Sequence, residues 1–266
     1  MGSGSWVRVE HDDGVAEVVL DRPPVNQFDA AMVDALLAAV PPLDDDPGVR
    51  AVLVRSAVPR MFAAGGDLPW MARAPLEEQL AFVARCQRAY TAFEALAAPV
   101  VVAIEGHCLG GGLELSLCCD IRVAGAGASL GLPETTVGLI AGAGGTQRLV
   151  RAVGQGVARD LLLTGRRLSG AKAGAMGIVS RVVEDGGAEA AARAVARQLA
   201  DGATEAIRAT KRLAVAASEL ALGEGLARER AEWAEVRRSA ATQEGLEAFA
   251  EKRRPDFRGA TRDAQR

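Results

Sequence analysis

The sequence predicts an α/β fold that ends in an all-helical region. Short apolar runs with strand character alternate with helical stretches through the first part of the chain, an order typical of α/β proteins. From about residue 187 Ala, Glu, Arg and Leu dominate and strand signals disappear. We therefore expect an α/β core over residues 1–186 and a helical C-terminal region over residues 187–266.

Strands are predicted where short runs are apolar and rich in β-branched residues. The clearest of them reads Val-Val-Val-Ala-Ile at 100–104. The other predicted strands cover residues 15–20, 51–55, 121–124 and 178–183.

Helices are predicted over residues 30–40 and 76–96. Asp29 is a suitable N-cap for the first, and Pro75 marks the start of the second. Three or four further helices are expected between residues 188 and 252. Pro255 is expected to end the last of them, because proline does not continue a helix.

The charge balance bears on the class of partner. Lys and Arg number 31 against 34 Asp and Glu, which gives a net charge of -3. A nucleic-acid-binding protein normally carries a basic surface, so nucleic acid is not expected as the main partner. A single small anionic ligand held by a local cation is still allowed.

The remaining composition excludes several kinds of site. Two histidines are too few for a histidine-rich metal centre, and we expect no metal. No run of 18 apolar residues is present, so no membrane span is predicted. The four cysteines lack a Cys-x-x-Cys pair and lie among apolar residues, which favours buried thiols and a cytoplasmic location. They are Cys86, Cys108, Cys118 and Cys119.

Three glycine clusters precede predicted helices, at residues 65–66, 110–112 and 142–145. Glycine lets backbone N–H groups approach a ligand closely, and a helix N-terminus adds partial positive charge. Tight turns without a ligand are the alternative explanation of each cluster. A dinucleotide fingerprint and a phosphate-binding P-loop both fail on spacing.

Two glutamates are isolated among apolar and small residues. Glu114 is the only acid in the segment Leu-Gly-Gly-Gly-Leu-Glu-Leu-Ser-Leu-Cys-Cys at 109–119. A buried carboxyl of this kind has a raised pKa and is a candidate general acid or base. Glu134 follows Pro133 in a similar setting. A structural carboxylate and a helix-start residue are the respective alternatives, and spacing alone does not bring the two acids together.

These segments together resemble the enoyl-CoA hydratase/isomerase (crotonase) superfamily, and most closely an enoyl-CoA hydratase. The resemblance runs from about residue 6 to 258. It rests on FAAGGDL at 62–68, GHCLGGGLEL at 106–115, and Pro-Glu at 133–134 followed by GAGGTQRL at 142–149. Further matches lie at 163–165, 173–179 and 249–253.

The resemblance implies a spiral of ββα units with a helical C-terminal region that trimerises, and hence a homotrimer or a homohexamer. It implies an acyl-CoA thioester as substrate, so that coenzyme A arrives with the substrate and no separate cofactor is required. The family's two oxyanion-hole N–H groups fall on Gly66 and Gly111. Backbone amides at glycine turns suit a thioester oxygen that gains charge as an enolate forms.

The resemblance also places the coenzyme A. Its adenine would lie against the backbone from Ala64 through Asp67 to Leu68. Phe249 and Lys252 match positions that reach the coenzyme A of a neighbouring subunit.

Hydratases of the family carry two glutamates, and these positions fall on Glu114 and Glu134. The resemblance makes Glu114 the group that activates water for attack at Cβ and Glu134 the proton donor at Cα. The N–H of Gly142 would help to hold the water. Another chemistry of the family, such as 3,2-enoyl-CoA isomerisation, is the alternative, because isomerases usually retain only the second glutamate. A non-catalytic use of the fold is a third.

Overall fold

The computed structural model describes residues 6–264, with side chains up to residue 260. Its strands are β1 Val7–Asp12, β2 Val15–Leu20, β3 Gln27–Phe28, β4 Ala51–Ser56, β5 Met61–Ala63, β6 Gly65–Gly66, β7 Val100–Ile104, β8 His107–Leu109, β9 Ile121–Gly125, β10 Ser129–Gly131, β11 Leu168–Ser169 and β12 Arg181–Val183. Its helices are α1 Ala30–Asp45, α2 Leu68–Met71, α3 Leu76–Ala95, α4 Gly111–Leu117, α5 Gly145–Thr164, α6 Gly170–Ala175, α7 Ala188–Ala200, α8 Thr204–Ala216, α9 Leu222–Arg237, α10 Ala240–Ala250 and α11 Phe257–Ala264. A short 3-10 helix spans Pro133–Val137.

The larger sheet has six strands in the order β1-β2-β4-β7-β9-β12. β1 and β2 form an antiparallel hairpin, and every later neighbour is parallel. Alternate residues of β4 face opposite sides: Leu53 packs towards α7, whereas Val52 belongs to the cluster that contains α1 and α3. The central strands are apolar on both faces because helices cover both sides, as parallel sheets require.

The predicted strands and helices are present in the predicted order, and the structure adds short strands that were not predicted, namely β3, β5, β6, β8, β10 and β11. β1 was not predicted because five of its six residues are exposed, so it carries no apolar signal. The predicted strand at 178–183 is shortened to β12 because the N–H groups of Ile178 and Val179 bind the carbonyl oxygen of Ala173 and cap α6. The helix predicted over 30–40 continues to Asp45.

The end of the helical region also differs from the prediction. The prediction that Pro255 ends the last helix is wrong. α10 already ends at Ala250, and the chain reverses where Lys252 adopts a φ of 57°. Pro255 lies in the link to α11, a helix that the apolar pattern did not predict.

A smaller four-stranded sheet positions the loops that carry the glycine clusters. Its order is β11-β10-β8-β5, and β5, β8 and β10 run parallel. The carboxyl ends of parallel strands meet at one edge of a sheet. The segment with Gly66 follows β5, α4 follows β8, and the 3-10 helix follows β10. Segments far apart in the sequence therefore converge beside one another.

The C-terminal helices differ in how they are covered. α7 buries Ala192, Val195 and Ala196 against the large sheet. In contrast, α9 buries none of its residues, and Trp233 is 67% exposed. Phe249 on α10 is 86% exposed. Within residues 6–264 no helix is long and apolar enough to cross a membrane.

Candidate active site

A cavity of about 550 Å³ lies at the carboxyl edge of the small sheet, between α3, α4 and the 3-10 helix. Most of the predicted site residues line it, although they come from four separate segments. These residues are Ala64, Gly66, Leu68, Gly111, Glu114, Glu134 and Gly142. The convergence of the two glutamates, which the spacing left open, is thereby observed.

Gly65 allows the segment of Gly66 to approach the start of α4. Its φ is +93°, and a Cβ atom on it would lie 3.3 Å from the amide nitrogen of Gly111 and 3.2 Å from the carbonyl oxygen of Leu109. Gly111 is the first residue of α4, where an amide has no acceptor inside the helix. The backbone here can therefore direct N–H groups into the cavity.

The carboxylate of Glu114 is buried and held in place. Its Oε1 accepts hydrogen bonds from the amides of Ala143 and Gly145, each at 2.8 Å. Burial raises the pKa of Glu114 to about 7; the Gly145 amide opposes the rise, repulsion from Glu134 adds to it, and the Ala143 amide and Arg148 lower it. Both protonation states are therefore accessible near neutral pH.

Glu134 is held less tightly. It lies in the first turn of the 3-10 helix, and its buried Oε2 has no hydrogen-bond partner among the described residues. Burial raises its pKa. Its Oε1 would lie 3.0 Å from a Cβ atom on Gly110, whose φ is +53°. A glycine at this position thus lets the carboxyl approach the start of α4.

Three predicted residues do not line the cavity. The carboxylate of Asp67 caps α2 by accepting from the amide of Trp70 at 2.9 Å. The side chain of Asp67 lines a neighbouring cavity instead. Phe249 and Lys252 lie at the end of α10 and beyond it, and their role at the coenzyme A of another subunit stays a prediction.

Sequence reasoning missed the residues that shape the rest of the cavity. Phe28, Phe82, Cys86 and Tyr90 form its apolar side. The sequence feature that could have drawn attention to Tyr90 is that it is the only tyrosine of the chain. Apart from the position of Ala143 in the third glycine cluster, nothing in the sequence indicated that its amide would bind Glu114. Among the residues whose side chains are described, no group of three metal-ligating side chains is present.

The chain matches a known protein family over most of its length. The model of the family described as "Enoyl-CoA hydratase/isomerase" matches residues 10–260. This chain belongs to the enoyl-CoA hydratase/isomerase family. The predicted fold class, a crotonase-type α/β fold with C-terminal helices, is confirmed by the same comparison and by structural similarity.

Individual members of the enoyl-CoA hydratase/isomerase family are similar over almost the whole chain. An "enoyl-CoA hydratase domain-containing protein 2, mitochondrial" of Bos taurus is 41% identical over 253 residues, which are 93% of this chain and 86% of that protein. The "methylglutaconyl-CoA hydratase, mitochondrial" of Homo sapiens is 39% identical over 255 residues, 94% of this chain and 75% of that protein. The crystal structure of an enoyl-CoA hydratase from Geobacillus kaustophilus has a TM-score of 0.93 at 33% identity, covering 97% of this chain and 98% of that one.

Proposed function

We propose that the chain is an enoyl-CoA hydratase that adds water across the 2,3 double bond of a 2-enoyl-CoA thioester and gives a 3-hydroxyacyl-CoA. One observation carries this proposal: two carboxyls with raised pKa values face one cavity beside the backbone of Gly66 and Gly111. The family and the names of its similar members support acyl-CoA chemistry.

The thioester carbonyl is proposed to bind between the N–H groups of Gly66 and Gly111. Attack at Cβ moves electron density onto the thioester oxygen, and two amides stabilise that developing enolate. The amide of Gly111 is suited to this because it opens α4 and has no acceptor inside the helix.

The two glutamates divide the proton transfers. Glu114 takes a proton from the water as its oxygen bonds to Cβ, while Glu134 gives a proton to Cα. Repulsion from Glu134 adds to the raised pKa of Glu114, so a state of the pair that holds a single proton is accessible near neutral pH. With that proton on Glu134, the pair has the base and the acid that hydration needs. The N–H of Gly142, which lines the cavity, is proposed to help to hold the water.

A panel of acyl-CoA thioesters tests this function. Hydration of 2-enoyl-CoA thioesters of several chain lengths is followed by loss of the absorbance of the conjugated thioester, and 3-enoyl-CoA thioesters are tested in parallel. We expect the enzyme to hydrate the 2-enoyl-CoA thioesters. An enzyme that only isomerises the second set would be a 3,2-enoyl-CoA isomerase, in which Glu134 alone moves a proton.

We also propose that the functional unit is a homotrimer, or a hexamer of trimers. Apolar side chains are exposed along α9 and α10, including Leu222, Trp233 and Phe249. Contiguous exposed apolar surface is typical of interaction sites. In such an assembly Phe249 and Lys252 would contact the coenzyme A of a neighbour, and one cation suffices for a phosphate group.

Light scattering tests the assembly. We expect the mass of three or six chains at micromolar concentration, and Trp233→Ala together with Phe249→Ala to shift the protein towards smaller species. A monomeric wild-type protein would contradict the proposal and the role given to Lys252.

A further inference from the structure

Tyr90 is a buried polar residue that the proposed mechanism does not use. It lies on α3 with no exposed surface and lines the cavity with Gly111 and Glu114. Phe28 packs edge-on against its ring, with 6.0 Å between the ring centroids. Its hydroxyl has no hydrogen-bond partner among the described residues. A buried hydroxyl without a partner destabilises the ligand-free fold, and phenylalanine would fill the same space without that cost.

The hydroxyl is a neutral donor. Burial raises the pKa of Tyr90 well above its ordinary value, and the nearby thiols and Glu114 raise it further. The phenol therefore keeps its proton at any physiological pH. A neutral donor brings no charge to offset the hydration that a carboxylate would lose here, so a carboxylate would also need a cation beside it.

The hydroxyl lies beside the place proposed for the thioester. Its oxygen would be 3.3 Å from a Cβ atom on Gly111, the residue whose amide is proposed to bind the thioester oxygen. The hydroxyl has no exposed surface, so an acyl chain reaches it only when the residues around it shift slightly. It would then do so within the first few carbons of the chain, not at its far end.

We propose that Tyr90 is a specificity-determining residue, whose hydroxyl donates a hydrogen bond to an uncharged oxygen of the acyl chain, a hydroxyl or a keto group close to the reacting double bond. This inference rests on the proposed function and names its substrate class: short acyl-CoA thioesters that carry such an oxygen.

The lining of the cavity favours an uncharged oxygen over a carboxylate. Among the residues whose side chains are described, the cavity is lined by two acids, Glu114 and Glu134, and by one cation, Arg167. Arg167 adjoins β11 on the side of the small sheet, whereas Tyr90 is on α3. A substrate carboxylate beside Tyr90 would face the charge of Glu114 and lack a paired cation there.

Binding measurements with three saturated thioesters test the inference without requiring turnover. The three are pentanoyl-CoA, the same thioester with a hydroxyl on its fourth carbon, and glutaryl-CoA, which ends in a carboxylate. Calorimetry on the wild type is expected to give the tightest binding for the hydroxyl-bearing thioester. Tyr90→Phe is expected to weaken that binding about tenfold, the worth of one hydrogen bond, and to leave pentanoyl-CoA unchanged.

The stability of the ligand-free variant distinguishes this role from a structural one. Tyr90→Phe removes an unpartnered hydroxyl, so its Tm is expected to equal or exceed that of the wild type. Phe93→Leu is the matched control, because Phe93 is also fully buried on α3 but does not line the cavity. It is expected to lower the Tm and to leave the ratio of the two affinities unchanged.

Three results would overturn the inference. If wild type and Tyr90→Phe bound the hydroxyl-bearing thioester equally tightly, the inference about Tyr90 would be contradicted, whereas the proposed function would not be affected. Tightest binding of glutaryl-CoA would likewise contradict the uncharged acceptor. If the wild type bound none of the thioesters, the proposed function would fail together with it.

Discussion

The two glutamates of the cavity lie in segments of opposite character. Glu114 is on α4, where two amides from a distant turn hold one of its oxygens at 2.8 Å. Glu134 is in a 3-10 helix that Gly138 caps in the left-handed conformation, and its Oε2 has no hydrogen-bond partner in the part of the chain that the structure describes. Burial raises both pKa values, but only at Glu114 do amides from another segment oppose the rise. One carboxyl is thus fixed in position, and the other keeps an oxygen free for a proton.

This difference assigns the two roles. A base that orients water needs a fixed carboxylate, and the amides of Ala143 and Gly145 supply the fixation. A proton donor needs an oxygen that can carry a hydrogen. Oε2 of Glu134 can do so, because it accepts no hydrogen bond from the described residues.

Replacing each glutamate by glutamine is expected to abolish most hydration. General acid–base groups typically contribute about 10²–10⁴-fold to the rate. Glu114→Gln should lose hydration by this factor, yet its amide oxygen can still accept from Ala143 and Gly145. Glu134→Gln should lose hydration and also any isomerisation, because both reactions need proton transfer at Cα. The measurement is hydration of a 2-enoyl-CoA and isomerisation of a 3-enoyl-CoA by both variants.

The informative contrast is between the two reactions within one variant. Residual isomerisation by Glu114→Gln is expected, since Glu134 is intact there. Full hydration by Glu114→Gln would contradict the two-carboxylate mechanism. Binding of a saturated acyl-CoA serves as the control that the cavity of each variant is intact.

The amide of Gly111 is expected to contribute less than a glutamate. Gly111→Pro removes the N–H group, and proline is well accepted at the first position of a helix. Loss of one oxyanion donor typically lowers kcat by about 10²–10³. The matched control is Gly111→Ala, because alanine also adds a Cβ atom near Phe28 and Tyr90 but keeps the N–H.

The kcat ratio of these two variants isolates the donor. We expect Gly111→Ala to retain most of the activity that Gly111→Pro loses. Similar kcat values for both would remove Gly111 from the oxyanion hole and assign the effect to crowding.

The sequence predicted the parts of the site that local chemistry determines. Glu114 is recognisable because it is an isolated acid in an apolar segment, and the glycine clusters mark turns where the backbone approaches closely. The α/β order and the C-terminal helices follow from hydrophobic patterns of different period.

Partners from distant segments could not be predicted. The amides that bind Glu114 lie 29 and 31 residues away along the chain, and only the alignment of β8 and β10 in the small sheet brings those segments together. Tyr90 belongs to a helix whose apolar spacing gave no reason to single it out. β1 was missed because an exposed edge strand is stabilised by its ladder and not by burial.

The pH dependence of stability separates fixation of the Glu114 carboxyl from its ionisation. The ordinary pKa of 4.5 is raised to about 7 in the folded protein, so the folded state binds the proton more tightly than the unfolded state. The contribution of this group to stability is therefore full below about pH 4.5 and is lost as the pH rises through about 7. The whole shift corresponds to on the order of 3 kcal/mol. Glutamine does not titrate, so Glu114→Gln should not show this loss.

The free energy of unfolding of Glu114→Gln, relative to wild type, should therefore increase between about pH 5 and about pH 8. Denaturant unfolding at several pH values measures this difference, in which the titration of all other groups largely cancels. Glu219→Gln is the control for replacing a carboxylate by an amide, because that glutamate is exposed between α8 and α9. A difference for Glu114→Gln that decreased with pH would mean that the amides of Ala143 and Gly145 outweigh burial. Glu114 would then be ionised well below neutral pH, as its role as a base allows, but the raised pKa of Glu114 on which the proposed function draws would be wrong.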